Sequence, residues 1–275
     1  MKLVFLAGLP RSGSTILANL LAQNPDVLAT PTSGLVGIIK AIQEVCDQNN
    51  IWKSMEPEEK NRHKLDMIRG VVEARFNGHG KICLDKNRAW PEMFELMANA
   101  LGKENLRALI CVRDLRDVLA SFEKLYRKTM GTSSTPQKRS DSIAMLTALS
   151  RAQTMMKMEQ PVGYALAVTR DAITRGWRQN MLFVDYDSLC GAPDRVLESI
   201  YKFIDEPFFE HDFDNVEQVT RERDEFHGFV GLHTIRKELK PQPTQWPTVF
   251  DEAVTESQFW ENLKTYSHFW WETSK

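Results

Sequence analysis

The chain has 275 residues, of which 42% are hydrophobic and 26% are charged. These values are close to the globular average, which excludes a disordered or collagen-like chain. The 35 basic and 37 acidic residues give a formal net charge of −2. This balance argues against a general nucleic-acid binder, which would carry a strong basic excess, but it is compatible with a local basic pocket.

The N-terminus and the cysteines indicate the compartment. Met1 to Ala7 contains a short apolar run followed at once by Gly8-Leu9-Pro10-Arg11, which is too short for a secretory signal. No stretch approaches the roughly eighteen apolar residues of a membrane span. The four cysteines form no CxxC pair and do not look like a disulfide framework, and Cys83 and Cys111, which lie in apolar strand-like runs, predict buried thiols. We therefore expect a cytoplasmic protein without a membrane partner.

Apolar runs of strand length alternate with helical patterns up to about residue 204. Leu3 to Ala7 predicts a buried strand, and Ser14 to Gln23 predicts the first helix. The further predicted strands are Val27 to Ala29, Lys81 to Asp85, Leu106 to Val112 and Met181 to Val184. The further predicted helices are Gly34 to Asp47, Pro57 to Asn77, Pro91 to Ala100, Leu115 to Lys128, Ile143 to Lys157, Gly163 to Arg175 and Pro193 to Ile204. The polar segment Gly131 to Ser142 predicts a mobile loop, and the C-terminal part is expected to be less regular.

This alternation predicts βαβ units, and hence an α/β fold whose central parallel sheet is flanked by helices on both faces. We predict one domain over residues 1–275, with variable helical insertions at about 34–80 and 129–165. Such sheets bind ligands at the carboxyl ends of their strands. Polar or glycine-containing segments follow all five predicted strands, at residues 8–15, 30–33, 85–88, 113–116 and 185–187. This edge is therefore where we expect the functional site.

The turn between the first strand and the first helix has the composition of an anion-binding loop. It reads Gly8-Leu9-Pro10-Arg11-Ser12-Gly13-Ser14-Thr15, and its glycines let backbone N–H groups point inward beside a helix N-terminus. A nucleoside triphosphate P-loop would have a lysine at Ser14, so its absence weakens a kinase or ATPase interpretation. Arg11 supplies a cation inside the loop instead. The alternative is a simple turn in which Ser12 or Ser14 caps the helix.

A second basic element follows the most apolar predicted strand. Arg113 stands at the end of that strand, and Ser121 lies two turns into the next helix. Arginine offers a planar pair of donors and serine a hydroxyl, which together suit a second phosphate. A solvated helix start with local ion pairs is the alternative. Because both elements lie at one sheet edge, they predict two phosphate pockets for a single nucleotide.

The two elements together resemble a known family. The family is the sulfotransferases that use 3′-phosphoadenylyl sulfate. Their 5′-phosphate motif is similar to Pro10-Arg11-Ser12-Gly13-Ser14-Thr15, and their 3′-phosphate motif is similar to Arg113 with Ser121. The resemblance is closest to the tyrosylprotein and bacterial branch. The resemblance covers about residues 1–30 and 80–205. It implies a three-layer fold like that of the P-loop nucleotide kinases and no metal. It also implies in-line sulfuryl transfer to a hydroxyl or amine of a small-molecule, carbohydrate or peptide acceptor.

The resemblance also implies roles for residues outside the two motifs. Tyr186 matches a tyrosine that lies at the nucleotide in the tyrosylprotein branch. Gly231 to Lys237, which includes His233, Thr234 and Arg236, occupies the place of the family's late basic loop over the adenine and the 3′-phosphate. These residues are therefore expected to bind the nucleotide.

Sulfuryl transfer needs a cation on the leaving group, donors on the sulfuryl oxygens and a base for the acceptor hydroxyl. Arg11 is expected to neutralise the leaving phosphate, while the backbone of residues 12–15 binds the 5′-phosphate. The family places lysine with histidine, or lysine with aspartate, where this chain has Asp85-Lys86-Asn87-Arg88. The resemblance thus implies Lys86 on the transferring group and Asp85 as the candidate base.

Several alternatives stay open at this point. Asp85 could instead order the strand end through an ion pair, in which case His233 or another residue is the base. The glutamate that serves the tyrosylprotein branch is replaced here by Thr30 to Ser33. His227 and His233 are too isolated for a metal site without carboxylate or cysteine company, so no metal is expected. The alternative functions are a magnesium-dependent small-molecule kinase using ATP and a non-catalytic nucleotide-binding relative.

Overall fold

A computed structural model of the protein describes residues 1–78, 80–132 and 147–272. Five parallel strands form one sheet in the order β2-β3-β1-β4-β5. The strands are β1 (Lys2–Gly8), β2 (Val27–Thr32), β3 (Ile82–Lys86), β4 (Arg107–Val112) and β5 (Met181–Asp185). Helices cover both faces, so the predicted α/β class is confirmed.

The central strand β1 is apolar on both faces because both are buried. Leu3, Phe5 and Ala7 pack into a core on one face, while Val4 and Leu6 pack into a second core on the other. The first core includes buried side chains from the helices α2 (Leu35–Gln48), α4 (Pro57–Phe76), α5 (Phe94–Leu101), α6 (Leu115–Thr132), α7 (Ala148–Met155), α8 (Pro161–Thr174) and α13 (Gln258–Glu272). Helices α1 (Ser14–Leu21), α9 (Tyr186–Gly191) and α10 (Pro193–Phe203) cover the second. The described residues also contain the short α-helices α3 (Asn50–Lys53), α11 (Trp246–Val249) and α12 (Glu252–Thr255).

The strand register brings the polar strand ends together. Leu6 of β1 pairs with Lys86 of β3, and Gly8 of β1 pairs with Cys111 of β4. The loops after these three strands consequently leave the sheet side by side. At Gly8, whose φ is +113°, an added Cβ would lie 2.1 Å from the carbonyl oxygen of Cys111, so only glycine permits this close approach.

Two predicted segments differ from the structure in an informative way. Helix α6 continues to Thr132, so the first residues of the predicted mobile loop are helical, while residues 133–146 lie outside the described ranges. The C-terminal part, expected to be less regular, contains α13. Trp260 and Leu263 of this helix are almost completely buried in the first core, so tertiary packing stabilises it.

The predicted insertion at 34–80 corresponds to α2, α3 and α4, and the predicted insertion at 129–165 falls partly outside the described residues. Within the described ranges, no helix has the length and apolar character that crossing a bilayer requires.

Candidate active site

A cavity of about 460 Å³ lies at the carboxyl edge of the sheet. This volume is within the range of small-molecule sites. All five segments predicted to follow the strands approach it: residues 8–11 and 13–15, Thr32, residues 86–88, Arg113 and Tyr186 contribute to its wall. The edge expected from the sequence is therefore where the cavity lies.

The loop after β1 presents the N-terminus of α1 to this cavity. Gly13 is the N-cap with φ +88°, and the described residues provide no side-chain cap for the helix. The Ser12 hydroxyl instead donates to the carbonyls of Leu9 and Cys111 and holds the loop from beneath. A Cβ on Gly13 would lie 2.6 Å from Cδ2 of Tyr186. The capping alternative is therefore not observed, and the first-turn N–H groups are left available for an anion.

Arg11 connects the two basic elements predicted from the sequence. Its own φ is +61°, an uncommon value for a residue with a side chain. Its Nε donates to Oγ of Ser121 over 3.0 Å, and its Nη1 donates to the carbonyl of Leu232. Burial lowers the pKa of Arg11, and the charge of Arg113 lowers it further. The two arginines therefore lie close together at one cavity.

Arg113 is a buried cation without a full set of partners. Its side chain is 5% exposed and its Cζ lies 4.4 Å from the centroid of the Tyr186 ring. Nη2 lies 3.8 Å from Oδ2 of Asp117, and neither Nε nor Nη2 has a hydrogen-bond partner in the described parts of the chain. A buried charged donor without an acceptor is costly, so this guanidinium is suited to receive an anion from the cavity.

Lys86 joins the loop to the C-terminal segment. Its Nζ lies 2.7 Å from Oε1 of Glu222 and 3.3 Å from Oγ1 of Thr15. Burial lowers the pKa of Lys86, although Glu222 opposes this shift. The ammonium group therefore lies beside the anion loop and lines the same cavity.

A cluster of titratable residues lies beside Lys86, and of its members His233 lines the cavity. Oε1 of Glu222 accepts hydrogen bonds from N and Oγ1 of Thr32, while Oε2 lies 3.3 Å from Nε2 of His233. Nδ1 of His233 lies 2.7 Å from Oδ1 of Asp224. Burial alone would raise the pKa of Glu222. The hydrogen bond and the charge of Lys86 have the larger effect, so the pKa of Glu222 is lowered. Burial also lowers the pKa of His233, against the influence of Asp224.

Sequence reasoning missed Glu222. The carboxylate reaches Thr32, the segment where the tyrosylprotein branch carries its glutamate, although it is 190 residues away along the chain. Residues 221–224 form no recognisable motif, and only the fold brings them to the sheet edge. No sequence signal could have found this residue without a contact map.

Most other predicted site residues also line the cavity: Pro10, Ser14, Thr15, Ser121, Thr234 and Arg236. Ser12 lies beneath the loop and is 1% exposed. Arg88 lines the cavity next to Lys86, in the neighbourhood where the cytosolic branch has its histidine.

The structure does not bring Asp85 to the cavity. Its side chain is 0% exposed, and its partner in the register is Phe5, whose side chain packs into the first core. Oδ1 accepts a hydrogen bond from Nε1 of Trp90 over 2.9 Å, while Oδ2 has no hydrogen-bond partner among the described residues. Asp85 and Lys86 are neighbours in a strand and must point to opposite faces. Asp85 is therefore a buried core carboxyl rather than a base facing an acceptor.

This position gives Asp85→Asn a predicted effect on stability. Burial raises the pKa of Asp85 from 3.8 to about 6, against the influence of Ser33 and Trp90. The folded state thus holds a proton that the unfolded state has lost, and stability falls as the pH rises through this interval. The shift corresponds to about 3 kcal/mol above pH 7. Of this, about 1.4 kcal/mol falls between pH 5 and pH 8, so urea unfolding should show a loss of stability over this range that is about 1.4 kcal/mol larger in the wild type than in Asp85→Asn.

The same variant tests the catalytic role. We expect Asp85→Asn to retain turnover within about tenfold, because a general base contributes about 10²–10⁴ and Asp85 does not reach the acceptor. A loss of turnover of about 10²–10⁴ would instead indicate that Asp85 is the general base.

The chain is similar to known proteins in its sequence profile and in its fold. The profile of the family described as the sulfotransferase domain matches residues 2–237. A search among curated proteins found no match. The sulfotransferase domain of a Synechococcus olefin synthase is 16% identical with a TM-score of 0.57, over 98% of this chain and 94% of that one. A mouse sulfotransferase complexed with PAP is 15% identical with a TM-score of 0.55, over 98% and 85%. A retinol dehydratase in complex with androsterone and inactive cofactor PAP is 14% identical with a TM-score of 0.50, over 98% and 81%. At these identities the structural matches establish a shared fold.

Proposed function

The chain belongs to the sulfotransferase domain family, and from this premise we propose that it transfers a sulfuryl group from 3′-phosphoadenylyl sulfate to an acceptor hydroxyl. The observation that carries this proposal is the single cavity that joins the Arg11 loop to Arg113. A buried guanidinium with unpaired donors beside an uncapped helix N-terminus provides two anion positions, as a nucleotide with 5′- and 3′-phosphates requires.

The nucleotide is held by both elements. The 5′-phosphate lies at the backbone of residues 12–15 and Arg11, and the 3′-phosphate lies at Arg113 and Ser121. Tyr186 packs against both Gly13 and Arg113, and it supports the nucleotide between the two positions. Thr234 and Arg236 cover the cavity from the C-terminal segment. Two relatives of this fold bear PAP, the desulfated form of this cosubstrate, which supports the assignment.

The reaction is an in-line displacement at sulfur. The acceptor oxygen forms a bond to the sulfuryl sulfur while the bond from sulfur to the bridging phosphate oxygen breaks. Negative charge then develops on the 5′-phosphate of the leaving PAP, where Arg11 and Lys86 stabilise it. A base takes the proton of the acceptor hydroxyl.

His233 is the base in this proposal. It lines the cavity, and the carbonyl of its neighbour Leu232 accepts a hydrogen bond from Arg11. Asp224 holds Nδ1, which fixes the tautomer and stabilises the imidazolium that forms, in the manner of a histidine–aspartate pair. Nε2, which lies 3.3 Å from Oε2 of Glu222, is then the nitrogen that takes the acceptor proton. Glu222 and Asp224 act as positioning residues.

A kinase is the weaker alternative. The chain has Ser14 where a P-loop kinase has the lysine that reaches the β- and γ-phosphates, and Arg11 and Lys86 provide the charge instead. The family match covers residues 2–237 and favours sulfuryl transfer over phosphoryl transfer.

The cavity wall also suggests the class of acceptor. Phe122, Leu125 and Phe229 line it together with the charged residues, which supports a small hydroxyl compound with an apolar body over a carbohydrate or peptide. The retinol dehydratase relative holds androsterone, a small molecule. We also propose a cytoplasmic location, which is supported by four free and buried cysteines.

Ligand-dependent unfolding tests the proposed cosubstrate. We expect adenosine 3′,5′-bisphosphate (PAP) at a hundredfold excess over its dissociation constant to add about 2.7 kcal/mol to the free energy of unfolding. ATP with magnesium should have little effect, because the loop lacks the P-loop lysine. The opposite order of the two melting shifts would overturn the sulfotransferase assignment and favour the kinase.

Turnover is measured separately, as release of PAP from 3′-phosphoadenylyl sulfate with a panel of phenols, sterols, sugars and tyrosine peptides. A strong melting shift by PAP without release in any member of the panel would indicate the non-catalytic relative. Faster release with sugars or peptides than with apolar alcohols and phenols would contradict the proposed acceptor class.

A further inference from the structure

Glu222, His227 and His233 lie together in an arrangement that sulfuryl transfer alone does not explain. Glu222 Oε2 lies 3.3 Å from Nε2 of His233 and 3.6 Å from Nε2 of His227. All three potential ligand atoms lie within 4.8 Å of one another. A tetrahedral zinc ion with bonds near 2.0–2.1 Å requires its ligand atoms to be separated by about 3.3 Å. The distances from Oε2 of Glu222 to the two histidine nitrogens are therefore close to the separation between two ligand atoms of one zinc ion.

The two oxygens of Glu222 have different surroundings. Oε1 is occupied by Lys86 and by two donors of Thr32, at 2.7, 2.9 and 3.0 Å. Oε2 faces the two imidazoles instead. The carboxylate is thus held in place through one oxygen, and the other is directed at nitrogen atoms that can ligate a metal.

The tautomer of His233 leaves a lone pair in this position. When Nδ1–H donates to Asp224 at 2.7 Å, Nε2 of the neutral ring presents its lone pair toward Oε2 of Glu222. Two acceptors then face each other, and a cation between them resolves the mismatch. A carboxylate on the far nitrogen of a histidine ligand is also the usual second partner in zinc sites.

We propose that Glu222, His227 and His233 form a three-ligand site for a divalent transition-metal ion such as Zn²⁺, and that its occupation blocks sulfuryl transfer. The sequence alone argued against a metal here because the two histidines lacked a carboxylate, and the fold supplies that carboxylate. Imidazole and carboxylate ligands suit zinc, and three protein ligands leave a fourth position open to the cavity.

The proposed block rests on the proposed function, because a metal on Nε2 occupies the lone pair that takes the acceptor proton. Metal binding itself does not depend on that function. His227 has a side chain that is 41% exposed, which gives the ion a path from solvent. Lys86 contacts only the other oxygen of Glu222, and Asp224 supplies a second negative charge beside the site.

Calorimetric titration of the EDTA-treated full chain with Zn²⁺ tests the site, with Co²⁺ as a spectroscopic probe of tetrahedral coordination. We expect one equivalent to bind, with affinity at least about tenfold weaker in His227→Ala and about 10–100-fold weaker in Asp224→Asn. His63→Ala is the matched control, since His63 also lies beside a glutamate, Glu59, but on the exposed face of a helix. This variant should bind as the wild type does.

Absence of stoichiometric binding, or equal affinity in the wild type and His227→Ala, would overturn the metal site whatever the turnover. The proposed inhibition of sulfuryl transfer by zinc is tested through PAP release. The Zn²⁺ concentration that halves each protein's own metal-free rate should be at least about tenfold higher for His227→Ala than for the wild type. Unchanged inhibition in this variant would refute the block. Zinc binding without sulfuryl transfer to any acceptor would instead refute the proposed function and leave the metal site standing.

Discussion

Replacing His233 by alanine should lower turnover by about 10²–10⁴, the usual contribution of a positioned general base. The imidazole lines the cavity and is held at Nδ1 by Asp224. Without it, the acceptor hydroxyl loses its proton to water in a site that Arg11 and Lys86 keep positively charged. Release of PAP, measured in EDTA with the fastest acceptor of the panel, reports the loss.

Two further measurements separate a base from a merely structural residue. Imidazole added to His233→Ala should restore part of the turnover, because a small base can occupy the space left by the ring. The affinity for PAP should stay within a few-fold of the wild type, since the base acts on the acceptor side. An undiminished turnover in His233→Ala would exclude this role, and a collapse of PAP affinity would assign His233 to the nucleotide instead.

Asp224→Asn provides a graded comparison. It keeps an oxygen near Nδ1 of His233 but removes the negative charge that stabilises the imidazolium. A smaller loss of turnover than in His233→Ala is therefore expected. Melting temperatures of both variants close to that of the wild type would show that neither loss comes from unfolding.

The parallel sheet could be predicted because its strands are apolar on both faces and are separated by helical patterns. Leu3 to Ala7 shows no alternation, since both sides of β1 pack against a core. The carboxyl edge of such a sheet gathers whatever follows the strands, so the loop at Arg11 and the strand end at Arg113 could be assigned to one cavity. These inferences depend only on local pattern and on the geometry of parallel sheets.

The face on which a strand-end residue lies was harder to predict. Asp85 and Lys86 are adjacent, and a shift of one residue exchanges their surroundings. The register pairs Leu6 with Lys86 and places Asp85 opposite Phe5, beside the first core. Because Asp85 stands next to Lys86, the sequence suggested that Asp85 is a base. Successive side chains of a strand point to opposite faces, however, and Asp85 is buried against Trp90.

The C-terminal segment carried the least information. Glu222, Asp224 and His233 lie in a region almost without regular structure, where neither a helical nor a strand period reveals which side chains face inward. Their positions are set by contacts with distant partners, such as Thr32 and Lys86. Long-range contacts of irregular segments have no signature in a single sequence, so the reacting end of the site had to come from the structure.

The second large effect is expected at Arg113. Arg113→Ala should weaken PAP binding by about 2–5 kcal/mol, as removal of one partner of a buried charge pair does. Its Nε and Nη2 have no hydrogen-bond partner in the described residues, so we expect the 3′-phosphate to be the acceptor that these donors receive. Calorimetric titration with PAP measures the loss. Arg113→Lys should give an intermediate result, because a lysine retains the charge without the planar pair of donors.

Two comparisons make this prediction specific to the 3′-phosphate. Arg116→Ala is the matched control, since Arg116 lies three residues further on and its guanidinium is already paired with Asp114; its PAP affinity should change little. In Arg113→Ala the ligand-free protein should melt somewhat earlier than the wild type, because the buried Asp117 carboxylate loses the guanidinium that lies 3.8 Å away. Adenosine 5′-phosphate, which lacks the 3′-phosphate, should bind the wild type and Arg113→Ala with similar affinity. If PAP binds Arg113→Ala as tightly as it binds the wild type, the cavity does not hold the nucleotide by its two ends and Arg113 has another role.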